Sequence, residues 1–160
     1  NWFSASATGY NGFIEALLNG NKKAMNAYMN DVALATFSSF DTGRHPSGKT
    51  EPERFYHGFV LGLLVELRDH YVVKSNRESG YGRYDVLLLP LNKKDRAIIL
   101  EFKVHDPEEE ESLQETVQAA LIQIQEKQYD AELSEFHIKP EQIHHYGLAF
   151  EGKKVLIGGQ

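Results

Sequence analysis

The chain has 160 residues, of which 41% are hydrophobic and 25% charged, with no cysteine and a net charge of −6. This is the balance of one soluble globular domain with its own core. It excludes disulfides, Cys-ligated zinc and a thiol nucleophile, and no apolar run reaches the roughly 20 residues that span a bilayer. The charge is uneven: residues 1–103 carry a net +2 and residues 104–160 a net −8. An acidic chain of this kind can still meet a phosphate backbone through one local basic surface. No basic segment followed by an apolar stretch marks a secretory signal, and a cysteine-free chain fits the reducing cytoplasm, the expected location.

In chain order, residues 10–36 read as helical. Phe13, Ile14, Leu17 and Leu18 recur at helical spacing, and Met25, Tyr28, Met29 and Val32 continue it after a break at Asn19-Gly20-Asn21. Residues 38–52 read as a polar linker. A helix is expected from about Thr50, where Thr50 and Glu53 form a capping box, through Phe55, Phe59, Val60, Leu63 and Leu67. Strands follow over residues 71–76, 83–89 and 97–104, with turns at Ser79-Gly80-Tyr81-Gly82 and at residues 90–96. The acidic run Asp106-Pro107-Glu108-Glu109-Glu110-Glu111 reads as a solvated loop feeding a helix of residues 112–129. That helix carries Leu113, Val117, Ala120, Leu121 and Ile124 on one face, and strands over residues 145–150 and 155–157 close the chain. The sheet is expected to be mixed, because strands joined by a short turn are antiparallel while a helical crossover permits a parallel pair.

Residues 43–50, Gly-Arg-His-Pro-Ser-Gly-Lys-Thr, match the G-x-x-x-x-G-K-[ST] phosphate-loop pattern. No buried strand precedes them and no alternating strand–helix series follows, so they read as a coincidental polar linker. An ATPase built on them would lose ATP affinity on Lys49→Ala.

The chemistry gathers on two strands. Glu101 and Lys103 are two apart and share a face, while Ile98, Leu100, Phe102 and Val104 point to a core. The turn between the strands centres near residues 93 and 94, so Asp85 and Glu101 fall opposite each other in a hairpin. A slip of one residue would send Asp85 to the other face. Two readings stay open for these side chains alone. They form a structural ion pair, or two carboxylates that hold Mg²⁺ beside a lysine.

An Asp on a hairpin followed by Glu-x-Lys on the next strand, here Asp85 and Glu101-Phe102-Lys103, resembles the PD-(D/E)XK nuclease superfamily. The strings Glu53-Arg54-Phe55-Tyr56-His57-Gly58-Phe59, Asn76-Arg77-Glu78-Ser79-Gly80-Tyr81-Gly82-Arg83-Tyr84-Asp85, Ala120-Leu121-Ile122-Gln123-Ile124 and Tyr146-Gly147-Leu148-Ala149-Phe150 look like the nuclease-like C-terminal domain of bacterial AAA-ATPase-like proteins. Tyr84 stands where many members have Pro. The resemblance implies an α/β restriction-endonuclease-like core, α-β-β-β-α-β, over residues 51–160. Residues 1–50 would be a helical extension and linker left from a preceding ATPase-like region. It implies a Mg²⁺-dependent nuclease, with Mn²⁺ able to substitute, acting on nucleic acid, DNA ahead of RNA. Asp85, Glu101, Lys103 and Gln123 would be catalytic, with Asp85 and Glu101 as metal ligands and Glu53 as a further candidate. Arg83, Lys127 and Tyr129 are candidate substrate contacts. The competing implication is a non-catalytic nuclease-like module that serves an attached ATPase-like domain.

Overall fold

A computed structural model describes residues 2–40, 51–77, 83–127 and 129–159. The elements are α1 (Trp2–Asn19), α2 (Lys22–Phe40), α3 (Glu51–Leu64), β1 (Tyr71–Arg77), β2 (Arg83–Pro90), β3 (Ala97–Val104), α4 (Leu113–Glu126), α5 (Asp130–Glu135), β4 (Ile143–Glu151) and β5 (Lys154–Gly159). The five strands form one sheet in sequence order, β1-β2-β3-β4-β5. Only the β3–β4 pair is parallel; the other three are antiparallel. A mixed sheet flanked by helices is the restriction-endonuclease-like core expected from the sequence, and α4 is the crossover that its parallel pair requires.

Alternation along the strands divides the two faces. Val86, Leu88, Ile98, Leu100, Phe102, Leu148 and Phe150 pack with Phe13, Leu17, Met25, Met29, Tyr56, Val60 and Leu64 from α1, α2 and α3. Here Tyr56 stacks on Phe150 with ring centroids 4.2 Å apart. On the other face Leu87, Leu89, Ala97 and Ile99 pack with Ile124, Tyr129 and Leu133 from α4 and the chain beyond it.

The break between α1 and α2 falls where the sequence predicts it. Gly20 takes φ +76°, a conformation that costs glycine little, and Asn21 Oδ1 accepts the Ala24 N–H at 3.1 Å to cap α2. The helices run further than their apolar pattern, to Trp2 at one end and to Phe40 at the other. Thr and Ser are weak helix formers and suggested a linker from residue 38, but a helix anchored along its first half extends at little cost. The phosphate-loop pattern and the Thr50 cap lie outside the described residues.

The anchor of α2 is polar. Asn26 Nδ2 donates to Ile157 O at 2.9 Å, and Asn26 Oδ1 accepts from Ile157 N at 2.8 Å. Asn30 repeats the pair on Val155, at 2.8 and 3.1 Å, and Lys22 Nζ donates to Gly159 O at 2.8 Å. Four helical residues rise about 6 Å and two strand residues about 6.7 Å, so side chains at i and i+4 meet alternate peptide groups of β5.

A second close approach sets α4 on the sheet. Gly147 and Gly158 are partners across β4 and β5. A Cβ on Gly147 would lie 2.9 Å from Val117 O, and one on Gly158 would lie 2.7 Å from Val117 Cγ1. The missing side chains let the helix backbone settle onto β4 beside β3.

Candidate active site

The antiparallel register of β2 and β3 puts Asp85 opposite Glu101, and Arg83 opposite Lys103. Asp85, Glu101 and Lys103 share the α4 face of the sheet with Leu87, Leu89 and Ile99, and they are buried at 2%, 0% and 7% exposure. Charges so deeply placed need partners.

The acid pair shares one cation. Lys127 Nζ lies 2.7 Å from Asp85 Oδ2, and 3.1 and 3.3 Å from the two Glu101 oxygens. Lys127 follows the last residue of α4 as its C-cap. Burial pulls the Lys127 ammonium toward deprotonation, but hydrogen bonds and charge from Asp85 and Glu101 outweigh it and hold its pKa above the ordinary lysine value. The second Asp85 oxygen accepts from Asn76 Nδ2 at 3.0 Å, across the β1–β2 pair.

Lys103 is held from the other side. Its Nζ lies 2.6 Å from Glu110 Oε2. Glu110 Oε1 accepts from the Asp106 N–H at 2.9 Å and from Thr116 Oγ1 at 2.8 Å. Burial raises the Glu110 pKa, and these hydrogen bonds with the Lys103 charge more than reverse it, leaving the carboxyl below its ordinary value. His105 Nδ1 lies 2.8 Å from the same Thr116 hydroxyl, and its Nε2 lies 3.1 Å from Glu151 Oε2. Glu110 therefore departs from the solvated run expected of residues 106–111. Its neighbours Glu108, Glu109 and Glu111 are exposed, whereas Glu110 is 8% exposed because the loop folds back onto Lys103.

The other sequence candidates scatter. Gln123 is half-buried on α4, and its carbonyl accepts the Lys127 N–H at 3.0 Å. Tyr129 is buried among Leu87, Leu89, Ile99 and Leu133. Arg83 begins β2 and Glu53 lies in the first turn of α3, but both side chains lie outside what is described. His57, beside Glu53 on α3, is on the opposite face of the sheet, edge-on to Phe102, with Nε2 2.8 Å from Ser75 Oγ.

The donor set suits a hard divalent cation. Asp85 and Glu101 offer carboxylate oxygens and already converge on the positive Lys127 ammonium. Among the described residues no group of three or more His, Asp or Glu side chains is arranged for a metal. An ion held by two carboxylates keeps several waters, as Mg²⁺ does.

Residues 51–159 match the sequence model of the PD-(D/E)XK nuclease superfamily. The chain belongs to that superfamily, whose members are usually nucleases using divalent metals. A search of curated proteins found no match to it. Among the described residues no helix is long and apolar enough to cross a membrane.

Proposed function

We propose that the chain is a Mg²⁺-dependent nuclease that hydrolyses phosphodiester bonds at Asp85, Glu101 and Lys103. The observation that carries this is the pairing of Asp85 with Glu101 in register, with Lys103 buried on the same face. Asp85 and Glu101 would hold Mg²⁺, or Mn²⁺ in its place. A bound ion of this kind polarises a phosphoryl oxygen and lowers the pKa of a bound water. Asn76 and the low-exposure wall of β2 and β3 fix the direction in which Asp85 presents its oxygens. Lys103 supplies a donor for the negative charge that develops on phosphate, and Glu110 is its resting partner. Gln123 supports the site from α4, with Arg83 and Lys127 as the proposed substrate contacts and Glu53 as a further candidate metal ligand, whereas Tyr129, buried with Leu87, Leu89 and Ile99, backs the site as packing. DNA as the preferred substrate, an ATPase-like region of which residues 1–50 would be the remnant, and a cytoplasmic setting rest on the sequence resemblance and the cysteine-free composition.

A second reading has its own observation. Each buried charge of the site is already matched within the chain, Lys127 with the acid pair and Lys103 with Glu110, as in a nuclease-like module kept for binding. Incubation with labelled single- and double-stranded DNA and RNA, with Mg²⁺ or Mn²⁺, separates the two. Cleavage lost in both Asp85→Ala and Lys103→Ala supports the nuclease. No cleavage with no metal bound at the acid pair supports the module.

A further inference from the structure

We propose that Lys127 is a built-in counter-cation that occupies the Asp85–Glu101 pair in the metal-free protein and leaves when a divalent metal binds. The inference rests on the metal reading above and adds a competitor to it.

The geometry points to exchange rather than to a cation that stays in place. The Lys127 ammonium contacts Asp85 Oδ2 and both oxygens of Glu101. It therefore uses the lone pairs that a metal would need, and a divalent ion on the same oxygens would sit against a like charge. The metal-free pair in turn needs a cation, since two facing carboxylates of 2% and 0% exposure repel each other. The exit is short. Lys127 lies just past the last residue of α4, its side chain is 12% exposed, and no turn of the helix has to unwind for it to swing out. Lysine suits the role, because its compact charge rides on a flexible four-carbon stem and is not locked in place by a planar fork.

If Lys127 fills the site in nine molecules of ten, apparent metal affinity is about tenfold weaker than that of the open pair. The test is calorimetric titration of Mn²⁺ into wild type, Lys127→Met, Lys127→Gln and Asp85→Asn, with melting temperatures recorded with and without Mn²⁺. Acetylation of wild-type Lys127 by acetic anhydride, read by peptide mass spectrometry, needs no variant to fold. The expected result is Mn²⁺ binding about tenfold tighter, or more, in both Lys127 variants. Their melting temperatures should be lowered without metal and recovered with it, and wild-type Lys127 should label faster when Mn²⁺ is present. If wild type binds Mn²⁺, Asp85→Asn does not, and the Lys127 variants bind no tighter with labelling unchanged, the exchange is overturned and the metal site stands. If neither wild type nor the Lys127 variants bind Mn²⁺, the metal reading falls and the exchange falls with it.

Discussion

Glu110 and Lys103 form a buried ion pair at 2.6 Å, across a loop that leaves β3 and returns to it before α4 begins. Glu110 is the hub of that loop, because the Asp106 backbone and the Thr116 hydroxyl also donate to it. Glu110→Ala strands a buried ammonium and two donors, so a loss of about 3–5 kcal/mol is expected from urea denaturation. Glu110→Gln keeps part of the hydrogen bonding and should cost less.

The same carboxyl sets a pH dependence. Its pKa in the fold lies below 4.5, its ordinary value. The sign follows from linkage: the unfolded chain binds the proton more readily, so this contribution is fully present above that ordinary value. It is lost as pH falls through the lower folded pKa. Thermal melting between pH 6 and pH 3 should show a steeper acid loss in wild type than in Glu110→Gln; equal slopes would remove Glu110 from the acid response.

Asp85→Asn and Glu101→Gln should separate stability from chemistry. Each leaves one carboxylate beside Lys127, so the metal-free fold is kept and cooperative melting persists. Mg²⁺-dependent cleavage of labelled DNA should drop to background in both. A variant that cleaves like wild type would place the reaction elsewhere.

Gly147→Ala tests how α4 is seated. The new methyl meets the Val117 carbonyl at 2.9 Å, and backbone cannot move aside cheaply, so a loss of about 1–3 kcal/mol is expected in chemical denaturation. Gly12→Ala is the contrast. Gly12 lies exposed within α1 with nothing within 4 Å of an added Cβ, so the change should stabilise by roughly 0.5–1 kcal/mol.

The sheet was legible because its signals are local. Alternation from Ala97 to Val104 assigns faces, and a short turn sets the register that brings Asp85 to Glu101. What the pattern could not supply was long-range folding back. Nothing in four consecutive glutamates distinguishes Glu110; the usable signal was Lys103 itself, a lysine on a buried strand that requires a counter-ion. The contact of Lys127 with the acid pair was not legible, because periodicity gives the face of α4 but not which strand residues its end overhangs. Asn26 and Asn30 stand one helical turn apart, a spacing that could have been noticed, yet asparagine in a helix more often signals a cap or a solvated surface.

Those two asparagines do for β5 what a sixth strand would do. An outer strand with open amides and carbonyls is a template on which other chains polymerise. Asn26 and Asn30 fill the outward peptide groups of Ile157 and Val155 with side chains that cannot propagate the ladder. Asn26→Ala combined with Asn30→Ala would remove this barrier while leaving the apolar contacts of α1 and α2 with the sheet in place. The double variant should self-associate at concentrations where the wild-type chain does not, as sedimentation velocity would show. That outcome would make α2 a cover for the outer strand of the sheet as well as a part of its core.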